Sequence, residues 1–163
     1  RDARITTIYE GTTAIQANDL IGRKFIADNG DGLLELIKEI KSSINLFDLA
    51  QSDLLIAKKE LNNAIERTEI IIKFILSENN HREYLSGSVG FNFLMMLGTL
   101  IGGWLAARSI EVSLKAIESD SIDNDFYKAK IISSKFFIFN ILPKVQFYAD
   151  TIDKGGDLVM EME

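Results

Sequence analysis

Pro143 is the only proline in 163 residues, so the chain can run as long helices almost from end to end. The apolar residues agree. Leu33, Ile37, Ile40, Ile44 and Phe47 recur every three or four positions, the spacing that gathers side chains on one helix face. Leu54, Leu61, Ile65, Thr68, Ile72 and Ile75 make a second stripe. Residues 4–9 alternate as a strand would, but the run is short, leads straight into Gly11 and reads as an extended loop. The expected class is all-α.

Breaks in the pattern divide the chain into five helices. The first is expected over residues 13–28, stopped by the cap and turn chemistry of Asn29-Gly30-Asp31-Gly32. The second carries the Leu33 stripe. The third opens at a Ser52 or Asp53 cap, pairs Glu69 with Lys73 on its polar side and breaks at Ser77-Glu78-Asn79-Asn80. A fourth fills residues 83–118. A last one runs from a turn at 121–124 through residues 125–153, kinked at Pro143 and ended by Gly155-Gly156. Short connections make consecutive helices antiparallel neighbours, so the expected architecture is an up-and-down helical bundle. It is preceded by a loop and one helix that belong to another structure. The boundary is expected near Asn29–Gly32, dividing residues 1–31 from 32–163.

Charge and composition remove several function classes. A net charge of -6 lacks the basic footprint of a nucleic-acid binder and does not favour an anionic membrane surface. Without cysteine there are no disulfides or thiolate metal sites, which suits a reducing compartment. With 47% hydrophobic and 26% charged residues the chain reads as a globular domain with a real core. The uncharged run from Tyr84 to Ala107 is long enough to cross a bilayer, and Gly98 and Gly102 have the spacing of packed membrane helices. Ser86, Ser88, Asn92 and the clustered glycines weaken that reading. The alternative is a central helix buried by its neighbours.

Chemistry concentrates at Tyr9-Glu10-Gly11-Thr12. A carboxylate stands before a glycine that lets the backbone approach a ligand, and Thr12 or Thr13 offers an N-cap hydroxyl to the helix that follows. A carboxylate at the mouth of a helix can remove a proton from something bound there. The other candidates are plainer. His81 reads as a solvated residue at a helix start. Asp28-Asn29-Gly30-Asp31-Gly32 puts glycines where calcium ligands belong, and no metal site is expected. Phe136, Phe137, Phe139, Phe147 and Tyr148 read as core or subunit interface.

The stretch Arg1-Asp2-Ala3-Arg4-Ile5-Thr6-Thr7-Ile8-Tyr9-Glu10-Gly11-Thr12-Thr13-Ala14-Ile15-Gln16-Ala17 resembles a segment of the C-terminal helical domain of acyl-CoA dehydrogenases, and Asn18-Asp19-Leu20-Ile21-Gly22-Arg23-Lys24 continues the likeness. Two later stretches resemble the extra C-terminal region of a subgroup of that family. They are Phe93–Gly98 with Trp104–Arg108, and Phe126–Lys130 with Phe136-Phe137 and Leu142-Pro143. The resemblance implies a soluble, cytoplasmic, FAD-dependent enzyme that oxidises an acyl-CoA to a trans-2-enoyl-CoA. It implies Glu10 as catalytic base, Gly11 and Tyr9 beside the substrate, and Thr12 on the adenosine diphosphate part of FAD. Ala14 stands where some members place a flavin-binding glutamine, so that contact is absent. A homo-oligomer and an electron-transfer flavoprotein as acceptor are further expectations. The chain opens inside a motif at Arg1, as a piece of a longer protein would, and alone it is expected to bind no flavin. Two other classes fit the helical pattern: a noncatalytic oligomerisation module and a membrane-embedded helical protein.

Overall fold

A computed structural model describes residues 12–78, 84–119 and 123–155. Helix α1 comprises Thr13–Asn18 and continues through Asp19–Ile26 in wider, π-helical turns. Then come α2, Asp31–Asn45, α3, Ser52–Glu78, and α4, Leu85–Glu118. Helix α5, Asn124–Phe136, passes into a π-helical turn over Phe137–Ile141, and α6 follows at Lys144–Gly155. There is no strand among the described residues, and the expected all-α bundle forms. The loop over residues 4–9, the break at Asn79-Asn80 and His81 lie outside the described residues.

The two stripes build the core. Ile37, Ile40, Ile44 and Phe47 are buried, as are Leu54, Leu61, Ile65, Thr68, Ile72 and Ile75. Each fully buried aliphatic or aromatic side chain contributes about 1.5–3 kcal/mol through the apolar surface it removes from water. Thr68 avoids the penalty of a buried hydroxyl by donating to the Ala64 carbonyl at 2.8 Å.

Helix α4 is the axis of the bundle, packed by α1, α3, α5 and α6. Its stretch Gly87–Glu118 is long and apolar enough to cross a membrane, yet half of its most apolar window is buried inside the bundle. Two of its glycines admit neighbours. A Cβ on Gly102 would lie 2.6 Å from Phe137 Cζ, and one on Gly103 would lie 2.7 Å from Leu142 Cδ1. Gly98 faces open space instead, so Gly98 and Gly102 do not act as one close-packing pair.

Three local expectations are corrected. Glu69 does not pair with Lys73; it accepts from Lys41 Nζ on α2 at 2.6 Å, because the seam between α2 and α3 brings that ammonium closer. Asp53 does not cap α3. Its carboxylate accepts from Lys135 Nζ on α5 at 2.6 Å, while the Leu54 and Leu55 N–H groups are taken by the Gln51 carbonyl. The last helix is broken rather than only kinked. Pro143 offers no N–H, and the Leu142 N–H reaches back five residues to Phe137 at 2.9 Å.

Between α1 and α2 the chain turns within a few residues. Asn29 has φ 54° and Gly30 φ 78°. The Gly30 N–H reaches the Phe25 carbonyl at 2.8 Å and the Asn29 N–H the Ile26 carbonyl at 3.1 Å, the paired bonds of a Schellman stop. The Asp28 carboxylate accepts from Gly30 N–H at 3.0 Å and from Gly32 N–H at 3.1 Å, so it ends one helix and starts the next. A Cβ at Gly30 would meet Phe25 Cε2 at 3.0 Å and Leu76 Cδ1 at 3.2 Å in a left-handed backbone. Gly30→Ala is expected to cost about 1–2 kcal/mol. An unchanged urea midpoint would show that this turn is not under that constraint.

An ion pair joins α3 to α6, with Arg67 Nη2 donating to Asp150 Oδ1 at 2.6 Å. The Arg67 hydrogen bond holds the Asp150 carboxyl below the usual carboxylate range against the opposing effect of burial, and Gln146 assists. A carboxyl with a depressed folded pKa contributes stability above its unfolded value, about 3.9, and loses it as pH falls through the folded value. Thermal melts should therefore show wild type losing stability more steeply than Asp150→Asn below about pH 4. Parallel acid limbs would dismiss the pair.

Candidate functional site

Tyr9, Glu10 and Gly11 lie outside the described residues, so the structure presents this end of the chain through Thr12 and α1. Ala17, Ile21 and Phe25 are buried on one face of α1. That face packs against α4 at Gly90, where a Cβ would make ordinary contacts, 3.4 Å from Ile21 Cγ2 and 3.5 Å from the Ala17 carbonyl. The Phe25 and Phe93 rings meet at 4.9 Å between centroids, tilted by 48°. On the outer side Asp19 forms a two-pronged pair with Arg23, and Lys24 Nζ stands 3.4 Å away. The Arg23 hydrogen bond lowers the Asp19 carboxyl from its ordinary value. Helix α1 is thus seated by three apolar contacts and polar only where it faces water.

Thr12 stands at the head of α1 with its carbonyl accepting from Gln16 N–H at 2.8 Å. Its backbone is already helical, φ -88° and ψ -8°, and its hydroxyl makes no capping bond. The N-cap hydroxyl expected here is therefore corrected for Thr12: a cap needs an extended backbone to turn its oxygen back onto the helix. The residue is exposed, and the first turn of α1 contains no acid. A hydroxyl that makes no capping bond, at a helix N-terminus whose first turn holds no acid, suits an anionic oxygen.

Beside α1 lies a groove of about 440 Å³ between α1, α2 and α4. Leu20, Phe25, Leu33, Leu36, Leu97 and Ile101 form its apolar wall, with Lys24 and Asp28 among its lining residues. Sequence reasoning missed it. The available signal was Gly98 within the uncharged run, since a glycine facing open space leaves a trough where a side chain would stand. Among the described residues no group of His, Cys, Asp and Glu gathers to hold a metal ion.

The family model described as Acetyl-CoA dehydrogenase C-terminal like matches residues 36–163. The chain belongs to the acyl-CoA dehydrogenase family. It is 28% identical over 170 residues to a broad-specificity linear acyl-CoA dehydrogenase of Mycobacterium tuberculosis, and that alignment covers the whole chain. A 3-methylmercaptopropionyl-CoA dehydrogenase of Ruegeria pomeroyi is 32% identical across 98% of the chain. A butyryl-CoA dehydrogenase of Syntrophomonas wolfei is 26% identical across 96%. The chain spans 28%, 27% and 26% of these relatives' own lengths. Within this acyl-CoA dehydrogenase chain, the apolar groove straddles the start of the family model, using Leu20 to Leu33 before it and Leu36 to Ile101 within it.

Proposed function

We propose that this chain is part of an acyl-CoA dehydrogenase that oxidises an acyl-CoA to a trans-2-enoyl-CoA, with Glu10 as the catalytic base. The observation that carries the reading is Tyr9-Glu10-Gly11-Thr12 at the head of α1, in a chain that aligns from end to end with an acyl-CoA dehydrogenase. The three relatives' names share an acyl-CoA substrate and nothing narrower, which sets the level at which the substrate is named.

Glu10 takes the α-proton of the thioester. The electron pair of that C–H bond becomes the α,β double bond, and the β-hydrogen departs as hydride. FAD, when bound, supplies the acceptor for that hydride. Gly11 would let the backbone stand against the thioester, Tyr9 would line the acyl side, and the Thr12 hydroxyl would help hold the adenosine diphosphate part of FAD. A desolvated site raises a carboxyl toward neutrality, where it is a better base for a weakly acidic carbon.

The remainder of the protein's role is packing. Helix α4 serves as a bundle core and not as a membrane span, and the groove beside α1 is covered by the catalytic part of the intact enzyme. Residues 32–163 form an extension that supports subunit packing in a homo-oligomer. An electron-transfer flavoprotein is the proposed acceptor and the cytoplasm the proposed location. The chain alone binds no flavin; a stoichiometric yellow complex of the purified chain would overturn that. The central test is anaerobic flavin bleaching by acyl-CoAs of several lengths in the intact parent, wild type against Glu10→Gln.

A further inference from the structure

A trough follows the seam between α4 and α5. A cavity of about 330 Å³ lies between Leu105, Arg108 and Val112 of α4 and Phe126, Tyr127 and Lys130 of α5. A second, of about 230 Å³, shares Leu105, Ser109 and Lys130 with it and runs on to Ser133 and Phe137. The two are therefore parts of one continuous hollow. Neither has a lining residue in common with the groove beside α1.

The charge of this trough is one-sided. The chain has 24 acids against 18 lysines and arginines, yet no acid lines either cavity. Arg108 stands on one wall and Lys130 on the other, and neither forms an ion pair among the described residues. The Arg108 guanidinium lies 5.5 Å from the centre of the Trp104 ring, a contact that holds it in place before a partner arrives. Ser109 and Ser113 donate their hydroxyl hydrogens to carbonyls of their own helix, at 2.8 and 2.7 Å. Arg108 and Lys130 are thus the charged groups that a partner meets.

The walls select the kind of partner. Lys130 belongs to both cavities, with Phe126 four residues before it and Phe137 seven after. Positive charge therefore sits within the length of the trough, and apolar surface lies toward both ends. A fatty acid carries its charge at one end only. Leu105, Val112 and Phe126 are 50%, 58% and 63% exposed, which describes an open trough and not a slot closed round an alkyl chain. From Phe126 to Phe137 the trough runs about 16 Å, three turns of a helix.

We propose that this trough docks a short amphipathic helix of another protein, one with an acid at its centre and apolar residues a turn to either side. The apolar side chains enter between α4 and α5, and the carboxylate meets Arg108 and Lys130. This goes beyond the packing role proposed above and does not rest on it. A three-turn contact falls below the ~800 Å² per partner of stable interfaces, so the docking is transient.

The probe is a fluorescein-labelled, alanine-based peptide with a central glutamate, a leucine four residues before it and another three after. Anisotropy should show it binding the chain about tenfold or more tightly than the same peptide with a central lysine, because like charges then meet. Added salt should narrow that difference. Trp104 is the only tryptophan of this chain, and its emission should shift as Arg108 turns toward unlabelled peptide. Arg108→Ala and Lys130→Ala should each weaken binding about fivefold or more, and Phe126→Ala should weaken it too. All three positions are exposed, so circular dichroism should show the fold retained.

Equal binding of the glutamate and lysine peptides, or no binding of either at millimolar concentration, would overturn the proposal. So would tighter binding of dodecanoate, below its micellar concentration, than of the peptide. Sedimentation with phosphatidylglycerol vesicles that Arg108→Ala abolishes, with no peptide bound, would make the surface a membrane contact instead. If the peptide binds this chain but not the intact parent, the trough is covered within the enzyme and a separate partner is excluded.

Discussion

Glu10→Gln in the intact parent should slow flavin bleaching by acyl-CoA about 10²–10⁴-fold, the range a positioned general base supplies, while flavin content stays at the wild-type level. The substitution keeps the size and hydrogen-bonding atoms of the side chain and removes only its capacity to accept the α-proton. Thr12 lies two residues away, so loss of flavin would mean that the change disturbed the head of α1 and not only the base. Equal bleaching by both proteins would place the base elsewhere and return Glu10 to an ordinary surface acid. Absence of bleaching in wild type with flavin bound would direct the test to other acyl chains or remove the dehydrogenase reading. The chain-length profile of the wild type then names the substrate more narrowly than the shared acyl-CoA of the relatives.

The bundle was legible because its information is local. Six positions of α3, Leu54 to Ile75, could be placed on one face by spacing alone, and all six are buried. The stop after α1 was legible for the same reason: Asn29 and Gly30 are the residue types that accept the left-handed backbone found there. What could not be read depends on partners distant in the chain. Glu69 has Lys73 one turn along its own helix, but only the packing of α2 on α3 brings Lys41 to 2.6 Å. The phenylalanines show the same limit. Their number suggested core or interface, and only the fold separates half-buried Phe137 from exposed Phe136 and Phe139. At the candidate site the residue types at 9–12 were legible as chemistry. The helical backbone of Thr12, which frees its hydroxyl from capping, was not.

Phe93→Ala should be the most destabilising single change within the described bundle, at about 3–5 kcal/mol for a fully buried phenylalanine truncated to alanine. Phe93 is 0% exposed, lies on the axial helix and meets Phe25 of α1 at 4.9 Å. A loss of that size is a large share of the about 5–15 kcal/mol that holds a typical domain together. The ring pair also seats the helix that follows the proposed base in the sequence, so its removal should reach the site as well as the core. Phe25→Ala and Phe93→Ala, singly and together, separate the two effects in a double-mutant cycle. A coupling of about 0.5–1.5 kcal/mol is expected for the aromatic contact itself. Phe93→Leu, which keeps most of the volume, should fold and still loosen α1. In the intact parent it should slow bleaching with flavin retained, because Glu10 is then held less firmly. Additive single losses in urea titrations, together with wild-type bleaching by Phe93→Leu, would mean that α1 is seated by Ala17 and Ile21 alone.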